Sequence, residues 1–487
     1  MQKVPAILVG LGLGLLILTI VMGWVVIPGV IKGKISEKVR LVNGTQTWER
    51  WSDITTPIFM NIYIFNTTNP DEVSEGGKPV LEEFGPYVYE EKRVKIDIEL
   101  NEANNTVSYR QPIKYFFRPD LSNGTEEDEF IVINMPLVVL ATRAASLGFF
   151  EQIFLSGVIE QHHEDEKLFS KVTAGQLTYH GRYVPMMKTL EEATGKAPLR
   201  NFTFGVFFPK NGSDEGVLEV NTGVEDSADF GRVVSWKGQT SLDFWKGDTC
   251  NMINGTDGSL FPPFVERDRI VRLFSADLCR SLYLKYTNDY EYKGLTGYQF
   301  SAPREMLEGA LDNLNNACFC VTPGNNYTGC LKTGAIQLSA CRNGAPIIMS
   351  TPHFFDGDEE YVNMSIGLKP DRERHLTYIT LEPNTGLMIK AHKRIQVNVY
   401  LEPNTVSEHF TNVPTMIYPV LWADEGAVMS ETTREAITKM VLKPMNIVEI
   451  GKWVLLGLSC TLIAAGLIVY MVQSSKHEYK AARTSEK

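Results

Sequence analysis

The chain has 487 residues, of which 44% are hydrophobic and 22% are charged. This composition excludes a disordered or collagen-like polymer, and it excludes a transporter with many membrane spans, which would be far more apolar. A formal net charge of −11 argues against nucleic acid as a partner, because phosphate binding needs an excess of clustered Lys and Arg.

The first predicted element is a membrane span near the amino terminus. Residues 4–31, between Lys3 and Lys32, contain no charged side chain and are long enough to cross a hydrocarbon core of roughly 30 Å as a helix. A cleaved signal peptide would have a shorter apolar stretch, whereas this one continues past Trp24. We predict an uncleaved transmembrane helix over residues 6–28, preceded by a cytosolic segment, residues 1–5.

The next 420 or so residues read mostly as β-strands. Residues 58–65, 376–381 and 394–401 alternate apolar with polar side chains or are rich in β-branched ones, as strands are. We therefore predict a mixed, mainly β fold with an antiparallel core, in an ectodomain that covers residues 29–452.

Residues 135–180 are the exception, because their apolar side chains recur at helical spacing. Phe150, Phe154 and Val158 fall close to one helical face. Phe149, Phe150 and Phe154 have two interpretations: they form the core of a helical insertion, or they form an apolar entrance for ligands and partners. An exposed patch there would mark a binding site.

His162 and His163 follow that apolar face and are the only adjacent histidines. With a reference pKa near 6.5, such a pair would gain charge between neutral and endosomal pH. We treat them as candidate pH-sensing residues, with a solvated polar stretch as the alternative.

Six cysteines form a cluster over residues 250–341, and six cysteines allow fifteen pairings. Cys318 and Cys320 are two positions apart, too far in an extended segment to bridge each other, so each should reach a different partner. A zinc site usually leaves two to four residues between paired ligands. We therefore predict disulfides among Cys250, Cys279, Cys318, Cys320, Cys330 and Cys341.

A second predicted transmembrane helix covers residues 453–472 and is followed by a tail, residues 473–487, that we place in the cytosol. The basic tail favours this orientation, while the Lys and Arg after the first span favour the opposite one. Nine Asn-x-Ser/Thr sequons lie between the two spans and none lies in the tails. Because such sites are glycosylated outside the cytosol, we predict an extracellular or luminal ectodomain. The nine asparagines are Asn43, Asn66, Asn104, Asn123, Asn201, Asn211, Asn254, Asn326 and Asn363.

We find no catalytic motif in the chain. There is no Gly-x-Ser-x-Gly elbow, and His163-Glu164 is not followed by the second His of a His-Glu-x-x-His zinc site. The acidic runs at 126–129 and 356–360 lack the ligand spacing of a calcium loop. We expect no enzyme activity, no catalytic residue, no metal and no cofactor.

Six segments resemble the class B scavenger receptor family, which includes the fatty-acid translocase and the lysosomal integral membrane proteins. They are FNTTNP at 65–70, EFGPYVY at 83–89, CNMINGTDG at 250–258, CRS at 279–281, CRNGAPIIMS at 341–350 and KRIQVN at 393–398. The segments follow the family's order over nearly the whole chain.

The resemblance implies an antiparallel β-barrel-like ectodomain with a helical-bundle apex and an apolar tunnel, anchored by the two transmembrane helices. It also implies the disulfides Cys250–Cys318, Cys279–Cys341 and Cys320–Cys330. The implied function is a plasma-membrane scavenger receptor, cycling through endosomes, that binds fatty acids, sterol esters, phospholipids or lipoproteins and passes lipid through the tunnel to the membrane.

Two alternatives remain. One is a pH-dependent trafficking receptor for a soluble protein in endosomes and on the lysosomal membrane, and the other is an adhesion protein. The tail lacks the acidic dileucine signal of lysosomal family members, and residues 161–167 are acidic where the translocase is basic. Anionic lipoprotein binding therefore does not carry over to that stretch.

Overall fold

The computed structural model describes residues 3–54, 56–195, 199–322 and 324–485. The described chain divides into two compact units: one contains both chain ends, up to Val39 and from Ser430, and the other spans Arg40–Met429. Helices and strands are numbered here in chain order over both units.

The unit of the chain ends consists of long apolar helices. Helix α1 (Lys3–Ile20) continues through a π-helical turn (Val21–Val26) into α2 (Ile27–Val39), and α12 (Glu431–Ile437) continues through a second π turn (Thr438–Leu442) into α13 (Lys443–Ser485). The helices Lys3–Val39 and Glu431–Ala481 are each long and apolar enough to cross a membrane. They contain the two predicted spans.

Glycines bring α1 and α13 close together. A Cβ atom on Gly12 would lie 2.7 Å from Ile463 Cγ1, and one on Gly466 would lie 2.7 Å from Val9 Cγ2. Small residues allow this approach, and close van der Waals packing is what holds helices together in lipid. The two terminal helices therefore pack as a pair.

The larger unit contains all the strands of the described chain. Strands β1 to β19 are Ile58–Thr67, Leu81–Arg93, Ile96–Asn101, Thr106–Arg110, Ile113–Phe117, Glu129–Ile133, Phe169–Thr173, Arg182–Tyr183, Thr203–Phe204, Leu218–Asn221, Val233–Trp236, Val271–Ser275, Arg280–Tyr292, Leu295–Ser301, Ala335–Gln337, Ile347–Ser350, Tyr378–Leu381, Met388–Leu401 and Met416–Val428.

Its helices are short. Helices α3 to α11 are Gln46–Ser52, Pro70–Ser74, Met135–Ala145, Phe149–Gln161, Ala174–Leu177, Pro185–Thr194, Asp248–Asn251, Glu359–Asn363 and Arg372–His375.

One large antiparallel sheet runs in the order β12-β13-β14-β17-β18-β19-β1-β2-β5, and β16 joins it beside β18. Strands β11-β10-β4-β3 form a second sheet, and β6-β7 and β8-β9 form two-stranded ones. The prediction of a mixed fold with a strand-rich body is confirmed. Within the described ranges no pairing joins β12 to β5, so the hydrogen-bonded sheet is open.

We call the face of the large sheet from which Met60, Ile62 and Ile64 of β1 project its inner face. Met60, Ile62 and Ile64 project from the same side, because strand side chains alternate, and all three are buried in the main hydrophobic core. Helix α5 packs onto the same core through residues such as Leu137 and Ala141.

Helix α5 starts at Asn134, whose side-chain oxygen accepts a hydrogen bond from Leu137 N, as an N-cap does. Helix α6 begins directly after Gly148. Residues 169–173, inside the segment predicted as helical, instead form β7, because their backbone groups pair with β6. The helical insertion therefore consists of α5, α6 and α7 around one strand.

Candidate functional site

The predicted ligand-binding phenylalanines lie on α6, at its amino-terminal end. Phe149, Phe150 and Phe154 are 71%, 82% and 40% exposed, and the rings of the first two lie 5.7 Å apart in an edge-on arrangement. Together with the exposed Leu147 and Ile153 they form one apolar patch, called here the α6 patch. The sequence left two interpretations open, a core of the helical insertion or an exposed apolar entrance, and the exposure of these side chains excludes the first.

The opposite face of α6 attaches the patch to the body of the unit. Leu155, Val158 and Ile159 are buried in the main core. Helical spacing predicted that Val158 and Phe150 share a face of the helix. In the structure Val158 is buried and Phe150 is exposed to solvent. The spacing alone does not reveal which side of a helix packs against the core.

A buried charge pair stabilises the insertion below the patch. Arg182 donates two hydrogen bonds to the Glu166 carboxylate, at 2.8 and 3.1 Å, and Asn134 donates a third at 2.8 Å. Asn134 accepts from Arg182 in return at 2.9 Å, so the ends of α5, α6 and β8 are joined by paired polar groups. These hydrogen bonds hold the helix that carries the α6 patch in place.

The two candidate pH-sensing histidines lie at the other end of α6. His162 Nε2 is 2.8 Å from Thr189 Oγ1 on α8, and His163 Nδ1 is 3.0 Å from the Glu160 carbonyl. His409 Nε2 lies 3.2 Å from the carbonyl oxygen of His163. The structure thus places the pair between three segments, and their role as acid sensors stays a prediction.

A second cluster of buried histidines, missed by the sequence reasoning, lies beside Trp422, on the face of the large sheet opposite to Ile62. The Glu83 carboxylate contacts His353 Nε2 at 2.5 Å and accepts from Arg374 at 2.7 Å and from Trp422 Nε1 at 2.8 Å. Burial alone would raise the pKa of Glu83, but the hydrogen bonds from these three side chains lower it to about 2. The ring of His375 stacks on that of His353 at 4.5 Å.

His375 is held neutral in this cluster. Its Nδ1 accepts a hydrogen bond from Asp371 N at 2.9 Å, so the proton of the neutral ring is on Nε2. Nε2 has no hydrogen-bond partner among the described residues. Burial, followed by the neighbouring His353 and Arg374, lowers the pKa of His375 to about 3.

Charged side chains also lie on the inner face, where most neighbours are apolar. Strand register pairs Lys393 with Glu425, Glu425 with Met60 and Met60 with Tyr89, so all four project from one side. Seven side chains form one chain of ion pairs, called here the ion-pair layer. In order they are Glu91, Arg93, Glu425, Lys393, Asp277, Lys210 and Glu215.

The cysteine cluster contains three disulfides, so the prediction of disulfide bonds is confirmed. The pairs are Cys250–Cys318, Cys279–Cys341 and Cys320–Cys330, with Cα atoms 6.0, 6.5 and 5.4 Å apart. Among the described residues, no cluster of three or more His, Cys, Asp or Glu side chains is arranged to hold a metal ion.

The nine sequon asparagines lie at accessible positions. Asn66, Asn211 and Asn254 are half-buried, and the side-chain oxygens of the first two accept hydrogen bonds from Ile131 N and Tyr115 N. The other six are exposed: Asn43, Asn104, Asn123, Asn201, Asn326 and Asn363. Glycosylation of these sites stays a prediction.

Two clefts lie away from the α6 patch. One is a shallow cleft bordered by Pro303, Thr351 and Leu376, and the other is a shallow cleft beside the Cys320–Cys330 disulfide. The continuous tunnel that the resemblance implies stays a prediction.

Comparison with known proteins identifies the relatives of this chain. The sequence model of the CD36 family matches residues 10–470. Lysosome membrane protein 2 of Homo sapiens is 33% identical over 421 residues, covering 85% of this chain and 84% of the relative. Scavenger receptor class B member 1 of Sus scrofa is 30% identical and covers 100% of this chain and 93% of its own length.

A third relative, sensory neuron membrane protein 2 of Heliothis virescens, is 30% identical and covers 96% of this chain and 93% of its own length. These relatives are membrane proteins and receptors, and the family predicted from the sequence segments is confirmed. The chain, with its strand-rich body, three disulfides and two helices able to span a membrane, belongs to the CD36 family.

Proposed function

We propose that this protein is a scavenger receptor that binds lipids or lipoproteins at the α6 patch and passes fatty acids or sterol esters through its ectodomain to the membrane. The observation that carries this proposal is the exposure of Phe149, Phe150 and Phe154 on a helix whose other face is fixed in the core. Contiguous exposed apolar surface is costly in water and marks a site of interaction.

The physical gain from a protected path is large. A sixteen-carbon chain that enters water costs roughly 12 kcal/mol, at about 0.8 kcal/mol per CH₂. A path lined by apolar side chains removes most of this barrier, and the lipid then moves down its own gradient. The proposed function needs no cofactor, no metal and no catalytic residue.

We place the protein at the plasma membrane, with the ectodomain outside and residues 1–5 and 473–487 in the cytosol. The 33% identity to lysosome membrane protein 2 favours a second candidate, a trafficking receptor on endosomal and lysosomal membranes that carries a soluble protein. Imaging of the tagged full chain separates the two: a steady state on lysosomal membranes would support the second.

The test is uptake of fluorescent oleate and of a fluorescent sterol ester by cells that express the full chain. Replacing both Phe149 and Phe150 by Ser should reduce uptake at equal surface expression, because the patch then loses its apolar side chains. Phe116→Ser is the matched control, since that ring is 50% exposed and lies on β5, outside the patch. Normal uptake by the double variant, or no uptake by wild type above untransfected cells, would contradict the proposal.

A further inference from the structure

A buried cation lies in the cleft beside the Cys320–Cys330 disulfide. Arg280, the first residue of β13, lines this cleft, although only 5% of the residue is exposed. Charged side chains are almost never so deeply buried in native proteins unless an opposite charge accompanies them. A counter-charge is therefore expected beside the Arg280 guanidinium.

The described part of the chain supplies no such counter-charge. Arg280 forms no ion pair with any described carboxylate, and the electrostatic neighbour that favours its charged form is the phenol of Tyr283. Burial outweighs this neighbour and lowers the pKa of Arg280 to about 9, so the guanidinium still carries its charge at neutral pH. Burial also raises the pKa of Tyr283, so the phenol is neutral at that pH. Among the described residues, the positive charge of Arg280 is thus uncompensated.

The N–H groups of Arg280 are also largely unpaired within the described ranges. Nη2 donates one long hydrogen bond, of 3.4 Å, to the carbonyl oxygen of Met306. Nε is buried and has no hydrogen-bond partner among the described residues. A guanidinium has five N–H donors, and buried polar groups in native proteins are nearly always paired. The site therefore lacks hydrogen-bond acceptors as well as negative charge.

An aromatic ring covers the guanidinium without meeting either need. Arg280 Cζ lies 3.5 Å from the centroid of the Phe319 ring, and that ring contacts Trp245 edge-on at 5.2 Å. The negative face of a ring attracts a cation. It replaces neither a full negative charge nor the lone pairs that N–H groups require, so an anion can still be accepted.

The disulfides fix both members of this stack. Arg280 directly follows Cys279 of the Cys279–Cys341 disulfide, and Phe319 lies between the half-cystines of the other two disulfides. Trp245 Nε1 also donates a hydrogen bond of 2.6 Å to the carbonyl oxygen of Cys279. Because the backbone is cross-linked on both sides of the stack, the guanidinium is held in the cleft rather than free to turn into solvent.

The cleft has space for a small ligand beside these groups. Its volume is about 40 Å³, enough for a few water-sized groups and too small for an acyl chain. Gln337 lines it with a carboxamide that carries two further N–H donors. Glu308 is the one acidic side chain among the described lining residues, and it forms no ion pair with Arg280. The size of the cleft and its donors fit a small anion.

We propose that this cleft binds one small monovalent anion, chloride or a short carboxylate, with the Arg280 guanidinium as its cation. The anion supplies the negative charge and the acceptors that the described residues lack. A guanidinium suits either ion, because its fork of N–H groups can point two donors at one acceptor or pair with both oxygens of a carboxylate. The inference goes beyond lipid transport and does not depend on it.

The experiment measures thermal unfolding of the detergent-solubilised full-length protein while sodium gluconate is replaced by sodium chloride or sodium acetate at constant ionic strength. Gluconate is too large for the cleft, and constant ionic strength keeps charge screening unchanged. An anion that binds only the folded state raises the melting temperature, by roughly 2 °C when it exceeds its dissociation constant about tenfold. In parallel, NMR follows the ³⁵Cl line and the carboxyl ¹³C line of acetate, and an anion that binds should be broadened in a saturable way.

Arg280→Met removes the charge and keeps an apolar chain against Phe319, so it should abolish the shifts in melting temperature. Arg267→Met is the matched control. Arg267 also lies over a ring, with Cζ 4.5 Å from the centroid of Tyr298, but it is exposed and donates two hydrogen bonds to Asp289, at 2.8 and 3.0 Å. Its charge is already paired, so this variant should respond to anions as wild type does.

Each outcome decides for or against the site. A response of wild type to both anions, or to one of them, supports it and identifies the anion. A response to neither overturns it, as does a response that persists in Arg280→Met or disappears in Arg267→Met. If Arg280→Met does not fold, Arg280→Lys takes its place: this variant keeps the charge but loses the fork, so saturable binding should weaken several-fold, and unchanged affinity overturns the site.

Discussion

The buried His375 should make the ectodomain less stable at lysosomal pH than at neutral pH. Its ring is fully buried and its pKa is lowered to about 3, whereas an unfolded chain has a histidine pKa near 6.5. The folded state therefore excludes a proton that the unfolded state takes up. Stability from this group is complete above pH 6.5, decreases as the pH falls below 6.5, and stops decreasing near pH 3.

The magnitude follows from the two pKa values. Each pH unit between them costs about 1.4 kcal/mol, so lowering the pH from 7.5 to 5.0 should cost roughly 2 kcal/mol through His375 alone. Glu83 does not contribute in this window, because its lowered pKa makes a stabilising contribution that is lost only below about pH 4.3.

The perturbation is His375→Asn, which keeps an acceptor for Asp371 N and removes the titrating ring. Denaturant unfolding of the detergent-solubilised full chain, followed by tryptophan fluorescence, gives the free energy of unfolding at pH 7.5 and 5.0. The difference between the two pH values should be smaller in the variant than in wild type by about 2 kcal/mol. The absolute stability of the variant does not enter this comparison.

Phe354→Leu is the matched control, because Phe354 is 1% exposed and packs on Tyr361 without adding a titrating group. It should lower stability equally at both pH values. A pH difference in His375→Asn equal to that of wild type would refute the reasoning. The same reduced difference in Phe354→Leu would attribute the effect to lost packing.

Three further predictions concern the ectodomain. Treatment with peptide N-glycosidase should lower the apparent mass of the protein from a glycosylating host, and no change would contradict the assigned orientation. Peptide mapping without reductant should recover Cys320 linked to Cys330. Replacing both cysteines of this pair by Ser should lower the free energy of unfolding by about 3 kcal/mol, which is less than the roughly 4 kcal/mol expected for either pair that closes a longer loop. Gly255→Ala should lower the free energy of unfolding by at least about 2 kcal/mol, because φ is +91° and the new Cβ would lie 2.2 Å from Arg272 C. Gly238→Ala, the control, is also at positive φ but beside open space, so it should lower the free energy of unfolding by only about 1 kcal/mol. Equal shifts of the melting temperature in the two variants would contradict this prediction.

Features that depend on local sequence could be predicted. The strand segments at 58–65 and 394–401 lie in β1 and β18, because alternation of side chains is visible within one segment. The apolar runs of the two terminal helices are visible in the same way. Helical spacing located α6, but it could not tell that Phe150 faces solvent, since that depends on what packs against the helix.

Features that depend on strand register could not be predicted. Lys393 and Glu91 are ordinary charged residues in the sequence, and only pairing across β18, β19, β1 and β2 places them together on the inner face. His353 and His375 lie 4.5 Å apart in the structure but in different segments of the chain. A charged residue at an inward position of a strand is the signal that could have indicated the ion-pair layer.

The place of β19 in the sheet affects how the protein is made. β19 lies between β18 and β1, so the middle of the large sheet comes from the last strand of the ectodomain to be synthesised. At about 5–20 residues per second, roughly 20–70 s separate the synthesis of Thr67, at the end of β1, from that of Met416. During this interval one edge of β1 has no partner, and a free edge is a template for aggregation. We therefore expect this edge of β1 to be the part of the sheet most exposed to aggregation until β19 has been synthesised and pairs with it.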